Sequence, residues 1–152
     1  MFGACNVYWG SNAFAFYVRD EGGWANFNRT QVHKSGDVFP RNVRTTVTCE
    51  GRTAKWSTAG GNEASITLGD EAIVDDGTCP LLIFDRNVSG NGGVQPEGIP
   101  AAMKLYSFRI YEGAELKRDL VPCVSATEGA GLWDRVEGKF YPNNGGGAFN
   151  TP

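Results

Sequence analysis

LYSFRIYEGAELKRDLVPCVSATEGAGLWDRVEGKFYPNNGGGAF, residues 105–149, decides the fold. Two strand-like runs, 103–111 and 116–124, flank a polar break at 112–115. A short helix over 112–118 is the competing reading, and Gly113 weighs against it. The segment 131–134 follows. Then come a turn at 136–138, a strand at 139–141 and a loop rich in Asn and Gly. Alternation, turn residues and aromatics all favour β structure.

The rest of the chain agrees. Its 152 residues suit one domain with a real core. With 21 Gly and 12% aromatic residues, it reads as short strands joined by tight turns. Net charge is −3, and Lys and Arg are scattered, which argues against a nucleic-acid surface. No run approaches the about 20 apolar residues of a membrane span, so no membrane insertion is expected. The opening MFGACNVYWGSNAF lacks the basic start and apolar centre of a secretion signal. A domain of a longer exported chain would look the same.

Cysteines stand at 5, 49, 79 and 123, never as a CxxC pair, which disfavours zinc ribbons and redox motifs. Two disulfides would have three connectivities. The expectation is free, half-buried thiols serving as small core residues.

Strands are expected at 2–9 and at 13–18, the latter with Phe14, Phe16 and Val18 on one face. A turn at 20–23 and a return strand at 24–27 make a hairpin. Residues 29–41 are polar and punctuated by Gly36 and Pro40, so they read as a loop or irregular edge. Residues 43–50 alternate, with Val43, Thr45, Val47 and Cys49 on one face. Strands at 53–57 and 64–68 follow, separated by Gly60-Gly61-Asn62. The unbroken apolar run at 81–84 suggests a central strand covered on both faces. Residues 85–98, rich in Gly and Asn, are the candidate functional loop. Roughly ten strands at this spacing read as an antiparallel β-sandwich.

These pieces resemble a family. LLIFDRN (81–87), the strand LYSFRIY (105–111), RDLVPC (118–123) and the closing GLWDRVEGKFYPN (131–143) are similar to bacterial and phage concanavalin A-like, laminin-G-like jelly-roll domains. Trp133 takes a Tyr place in that last motif. FGA (2–4) resembles the family's third strand, so the usual first strands are expected to be missing: the chain is a fragment, the sandwich is trimmed, or another chain supplies the edge. The resemblance implies an all-β, antiparallel jelly-roll sandwich over 1–152. Family members occur in exported multidomain proteins, surface adhesins and phage structural proteins. An open sheet edge would invite a strand from a neighbouring domain or chain.

Catalysis finds little support. The paired-carboxylate strand pattern of β-glucanases is absent. The one histidine, His33, sits in a polar stretch without a motif. No Gly-rich loop has the Lys and helix of a phosphate cradle. Sugar binding needs aromatic rings to stack on pyranose faces, with Asn and Asp for the hydroxyls. The candidates are Trp9, Tyr17, Trp24, Asn26, Trp56, Asp85 and Asn87. Trp24 and Trp56 stand where either exposure or burial fits. Trp133, inside the closing motif, reads as core, and Asp134 as a turn cap. Asp75 and Asp76 are weak calcium candidates, with solvated turns the ordinary alternative.

The sequence therefore suggests a non-catalytic, lectin-like module of an exported bacterial protein, located extracellularly or at the cell surface, with a glycan as partner. A structural or adhesive module of a cell surface or virion, binding protein, is the alternative.

Overall fold

A computed structural model describes residues 2–4, 14–19, 22–27, 30–35, 40, 42–67, 81–84, 103–143 and 149. Before residue 36 it describes backbone course and strand pairing. The described residues are all β, with every pairing antiparallel and no helix. They fall into two units, Met1–Ala102 and Met103–Pro152.

The first unit holds β1 (Phe2–Ala4), β2 (Phe14–Arg19), β3 (Gly22–Phe27), β4 (Thr30–Ser35), β5 (Thr45–Glu50), β6 (Thr53–Thr58), β7 (Glu63–Thr67) and β8 (Leu82–Ile83). One sheet runs β4-β3-β2-β1-β8 and a second runs β5-β6-β7. The sheets approach each other at β4 and β7.

The expected hairpin at 13–27 is present, paired from Phe14↔Phe27 to Arg19↔Gly22. Two expectations are corrected here. The stretch 29–41 is not simply a loop. Its Thr30–Ser35 segment pairs along the whole of β3, and His33 lies opposite Trp24. This strand has almost no apolar rhythm. Its backbone pairing with β3 and its β-branched Thr30 and Val32 suffice to make it a strand at one end of the sheet order. Conversely, the apolar run 81–84 is not a central, doubly covered strand. Only Leu82 and Ile83 pair, at the other end of the order, and all four residues are half-buried. Phe84, just after the paired residues, takes φ 75°.

The alternation read over 43–50 holds in β5. Thr45, Val47 and Cys49 are half-buried while Thr46, Thr48 and Glu50 are exposed. Register then orients β6 and β7. Val47 lies opposite Trp56, which lies opposite Ala64; Cys49 lies opposite Ala54, which lies opposite Ile66. One face therefore gathers Val47, Cys49, Ala54, Trp56, Ala64 and Ile66, and Trp56 is only 2% exposed. Thr58 closes the β6–β7 turn. Its N–H donates to the Asn62 carbonyl at 2.9 Å, and its hydroxyl accepts from the Asn62 amide at 3.1 Å.

Cys49 and Cys123 are free and half-buried, as expected of small core residues. Cys5 and Cys79 lie outside the described residues. Burial pushes the Cys49 thiol from 9.0 up to about 11.

The second unit is one sheet of four strands. It comprises β9 (Phe108–Glu112), β10 (Glu115–Ser125), β11 (Gly129–Asp134) and β12 (Lys139–Pro142), in the order β12-β11-β10-β9. Each strand pairs with its sequence neighbour. The break at 112–115 is a two-residue turn, because Glu112 pairs with Glu115. Gly113 takes φ 57°, which an L side chain rarely adopts. The competing helix over 112–118 does not form. A register shift between Leu116 and Arg118 bends the start of β10. The β9 strand begins at Phe108, later than the expected 103, while the expected turn at 136–138 and strand at 139–141 are present, preceded by β11.

Gly131 is required by close approach. A Cβ there would meet the Phe140 ring at 2.5 Å and collide with the Tyr141 carbonyl oxygen. Gly131→Ala is therefore expected to lower stability by about 1–3 kcal/mol in urea denaturation, with an unchanged m-value. Cys49 has its own test. At pH 8, iodoacetamide should modify it roughly a hundredfold more slowly in the folded protein than in the urea-unfolded chain, read peptide by peptide by mass spectrometry.

Candidate functional site

The second unit places its chemistry by strand parity. Side chains alternate faces along a strand, and directly paired residues share a face. Leu120 lies opposite Phe108 and Asp134, and Leu132 lies opposite Pro122 and Tyr141. One face therefore carries Phe108, Leu120, Leu132, Asp134 and Tyr141, with Leu120 and Asp134 buried. The other carries Arg109 opposite Asp119, and Val121 opposite Trp133 opposite Phe140.

On this second face Asp119 is the fixed point. Its carboxylate is 10% exposed and has a guanidinium on each side. Arg109 donates from Nε to Oδ1 at 2.9 Å, and Arg135 Nη1 lies 3.6 Å from Oδ2. The Arg135 amide also donates to the Asp119 carbonyl at 3.0 Å, which prolongs the β10–β11 ladder by one residue. The hydrogen bond and charge of Asp119, then Tyr111, drive the Arg109 pKa further above its ordinary value. Arg109 and Arg135 remain half open to solvent, at 51% and 58%.

Aromatic rings lie at both ends of this row. Tyr111 is two residues beyond Arg109 on β9, and Trp133 is two residues before Arg135 on β11. They are 55% and 40% exposed. The two strands run the same way on either side of β10, so the rings stand at opposite corners of a diagonal. Strand geometry puts them roughly 16 Å apart. The reading of Trp133 as core is corrected: Phe140 leans over Gly131 and takes the sheltered place, leaving the indole open.

Asp134 caps the turn as expected, from the opposite face. Its Oδ1 accepts from the Asp119 amide at 3.1 Å and from the Val136 amide at 2.9 Å. Oδ2 faces Arg118 Nε at 3.5 Å. Burial pushes this carboxyl up. The amides of Asp119, Val136 and Glu137, with the Arg118 charge, outweigh it and hold the pKa below its ordinary value. Arg118 also pairs with Glu137 at 2.7 Å, and Glu137 accepts from the Tyr141 hydroxyl at 2.6 Å. That bond, then burial, raises the Tyr141 pKa. An acid held ionised in this way suits a structural cap, not a proton donor.

The sugar-binding candidates from sequence fare differently. Trp56 is buried between Val47 and Ala64 and offers no open ring face; the register across three strands sent it inward. Tyr17 lies directly opposite Trp24, and Asn26 opposite Ala15, in the β2–β3 pair. Trp9, Asp85 and Asn87 lie outside the described residues, as do the calcium candidates Asp75 and Asp76. Among the described residues no cluster of His, Cys, Asp and Glu is arranged to hold a metal, and no helix is long and apolar enough to cross a membrane. Sequence reading missed Arg109, Tyr111, Asp119 and Arg135. The available signal was RIY and RD on two strands joined by a two-residue turn, which fixes Arg109 near Asp119 once the register is known.

No family model, curated protein or solved structure matches the chain.

The Asp134 pKa is lower in the folded than in the unfolded chain. Its stabilisation is thus fully present above the ordinary carboxyl value and is lost as pH falls through the lower folded value. Asp134→Asn places an amide N–H₂ among backbone donors. It should lower the melting temperature by several degrees at pH 7, and the gap from the parent protein should narrow as the pH is brought to 2–3, read by circular dichroism.

Proposed function

We propose that this chain is a non-catalytic carbohydrate-binding module of an exported bacterial protein, built as a jelly-roll sandwich and acting outside the cell. The observation that carries this reading is the pair of exposed rings, Tyr111 and Trp133, on one sheet face with polar side chains between them. Aromatic faces bury the C–H surfaces of pyranose rings, and fixed hydrogen-bond donors select among hydroxyls. A β-sheet supplies both at set spacing, without loop ordering on binding. The antiparallel all-β architecture and the resemblance of the 131–143 motif to laminin-G-like domains support the same reading.

A second reading, a structural or adhesive module that binds protein, draws on the opposite face. Ile110, Pro122 and Val124 are exposed there, Val124 at 64%. Exposed apolar residues grouped on a sheet face are common at protein contacts.

A glycan array separates the two. Specific binding by the parent protein, reduced at least tenfold by Tyr111→Ala or Trp133→Ala with folding intact, is the expected result. An EDTA arm reports any calcium requirement. A silent array, together with self-association in sedimentation that Val124→Lys abolishes, would replace the first reading with the second.

A further inference from the structure

We infer that the Tyr111–Trp133 face selects acidic glycans, with Arg109 and Arg135 gripping a uronate carboxylate at the centre of the diagonal; this rests on the carbohydrate-binding reading. Three observations carry it.

First, the charge on this row is unbalanced. Two guanidinium groups meet one carboxylate, leaving a single positive charge. Among the described residues the nearby acids are committed elsewhere: Asp134 and Glu137 pair with Arg118 on the other face, and Glu112 and Glu115 hold Lys117 at the hairpin tip, at 3.3 and 2.7 Å.

Second, the row is built. Asp119 is buried, and its backbone is tied at the amide to Asp134 and at the carbonyl to Arg135. Its side chain fixes Arg109 through Nε, while the Arg109 guanidinium also meets Tyr111. A guanidinium held by its Nε edge keeps its outer N–H groups aimed in a set direction. That geometry recognises a planar carboxylate through two parallel hydrogen bonds. Arginines placed only for solubility would not converge on a buried acid.

Third, the charged row lies between the rings and not beyond them. A linear oligosaccharide stacked on both Tyr111 and Trp133 passes over Arg109 and Arg135. A ring substituent of matching charge at a middle sugar meets the clamp. A neutral hydroxymethyl group at the same place would leave the guanidinium charge uncompensated as water is displaced.

The test uses the whole chain on an array of uronate oligomers of several linkages, beside their carboxyl-reduced neutral counterparts. Hits are followed by titration calorimetry at low and high salt. The expected result is at least ~10-fold tighter binding of a uronate oligomer than of its neutral counterpart, a gap that closes as salt is raised. Arg135→Gln and Arg109→Gln should each remove most of that gap. Arg135→Lys should keep part of it, because charge survives while the fork is lost. Melting curves confirm that each variant is folded. Equal binding of acidic and neutral oligomers, still lost in Trp133→Ala, would overturn the inference and leave the carbohydrate-binding reading standing. Binding of neither class would overturn both.

Discussion

Asp134 is the constraint on which the second unit depends. One buried carboxylate oxygen accepts amide hydrogens from Asp119 on the neighbouring strand and from Val136 in the turn that follows. The same residue's carbonyl accepts from Gly138, closing that turn at 2.9 Å. β10, β11 and the turn are thus locked to one side chain. Arg135 leaves β11 at that point and pairs back onto Asp119. An apolar residue at 134 would leave those amides without an acceptor inside the protein, a heavier loss than any gain in packing.

This arrangement explains why two carboxylates on adjacent strands do not resemble a catalytic pair. They project from opposite faces of one sheet, and each is neutralised where it stands. Asp119 meets two arginines, and Asp134 meets backbone amides and a third arginine. Catalysis by paired acids needs one of them protonated near neutral pH. Here hydrogen bonding to the charged form prevails at Asp134 even against burial. What remains open to solvent is a row of guanidinium donors between two aromatic rings.

Much of the fold was legible in the sequence because short-range rules govern much of it. The turn at 136–138 with the strand that follows it, the Gly113 turn and the alternation of β5 follow from turn chemistry and period-two patterning. Where the reading failed, long-range pairing decided. β4 is a strand because β3 offers it a full ladder, and its own composition carries little sign of this. The 81–84 run is apolar yet contributes two paired residues at the end of a sheet. Trp56 is buried where either environment fitted the sequence, and Trp133 is open where core was expected. The face of Trp56 was set by Val47 and Ala64 on flanking strands, and that of Trp133 by the Phe140 ring filling the space above Gly131. The candidate site suffered most, since Arg109, Asp119 and Arg135 meet only through register, which a linear reading does not supply.

The pairing of β1 with β8 has a consequence for how the chain reaches this structure. Gly3 pairs with Leu82, so roughly eighty residues must be spanned before that edge closes. The sheet of the second unit needs no such closure, because each of its strands meets the one just before it in sequence. Contacts between close neighbours form early and quickly, whereas distant ones wait on the loss of loop entropy. The sheet that carries the arginine row is therefore able to assemble early, as are β5-β6-β7 and β2-β3-β4, and β1 is among the last strands to find its second partner.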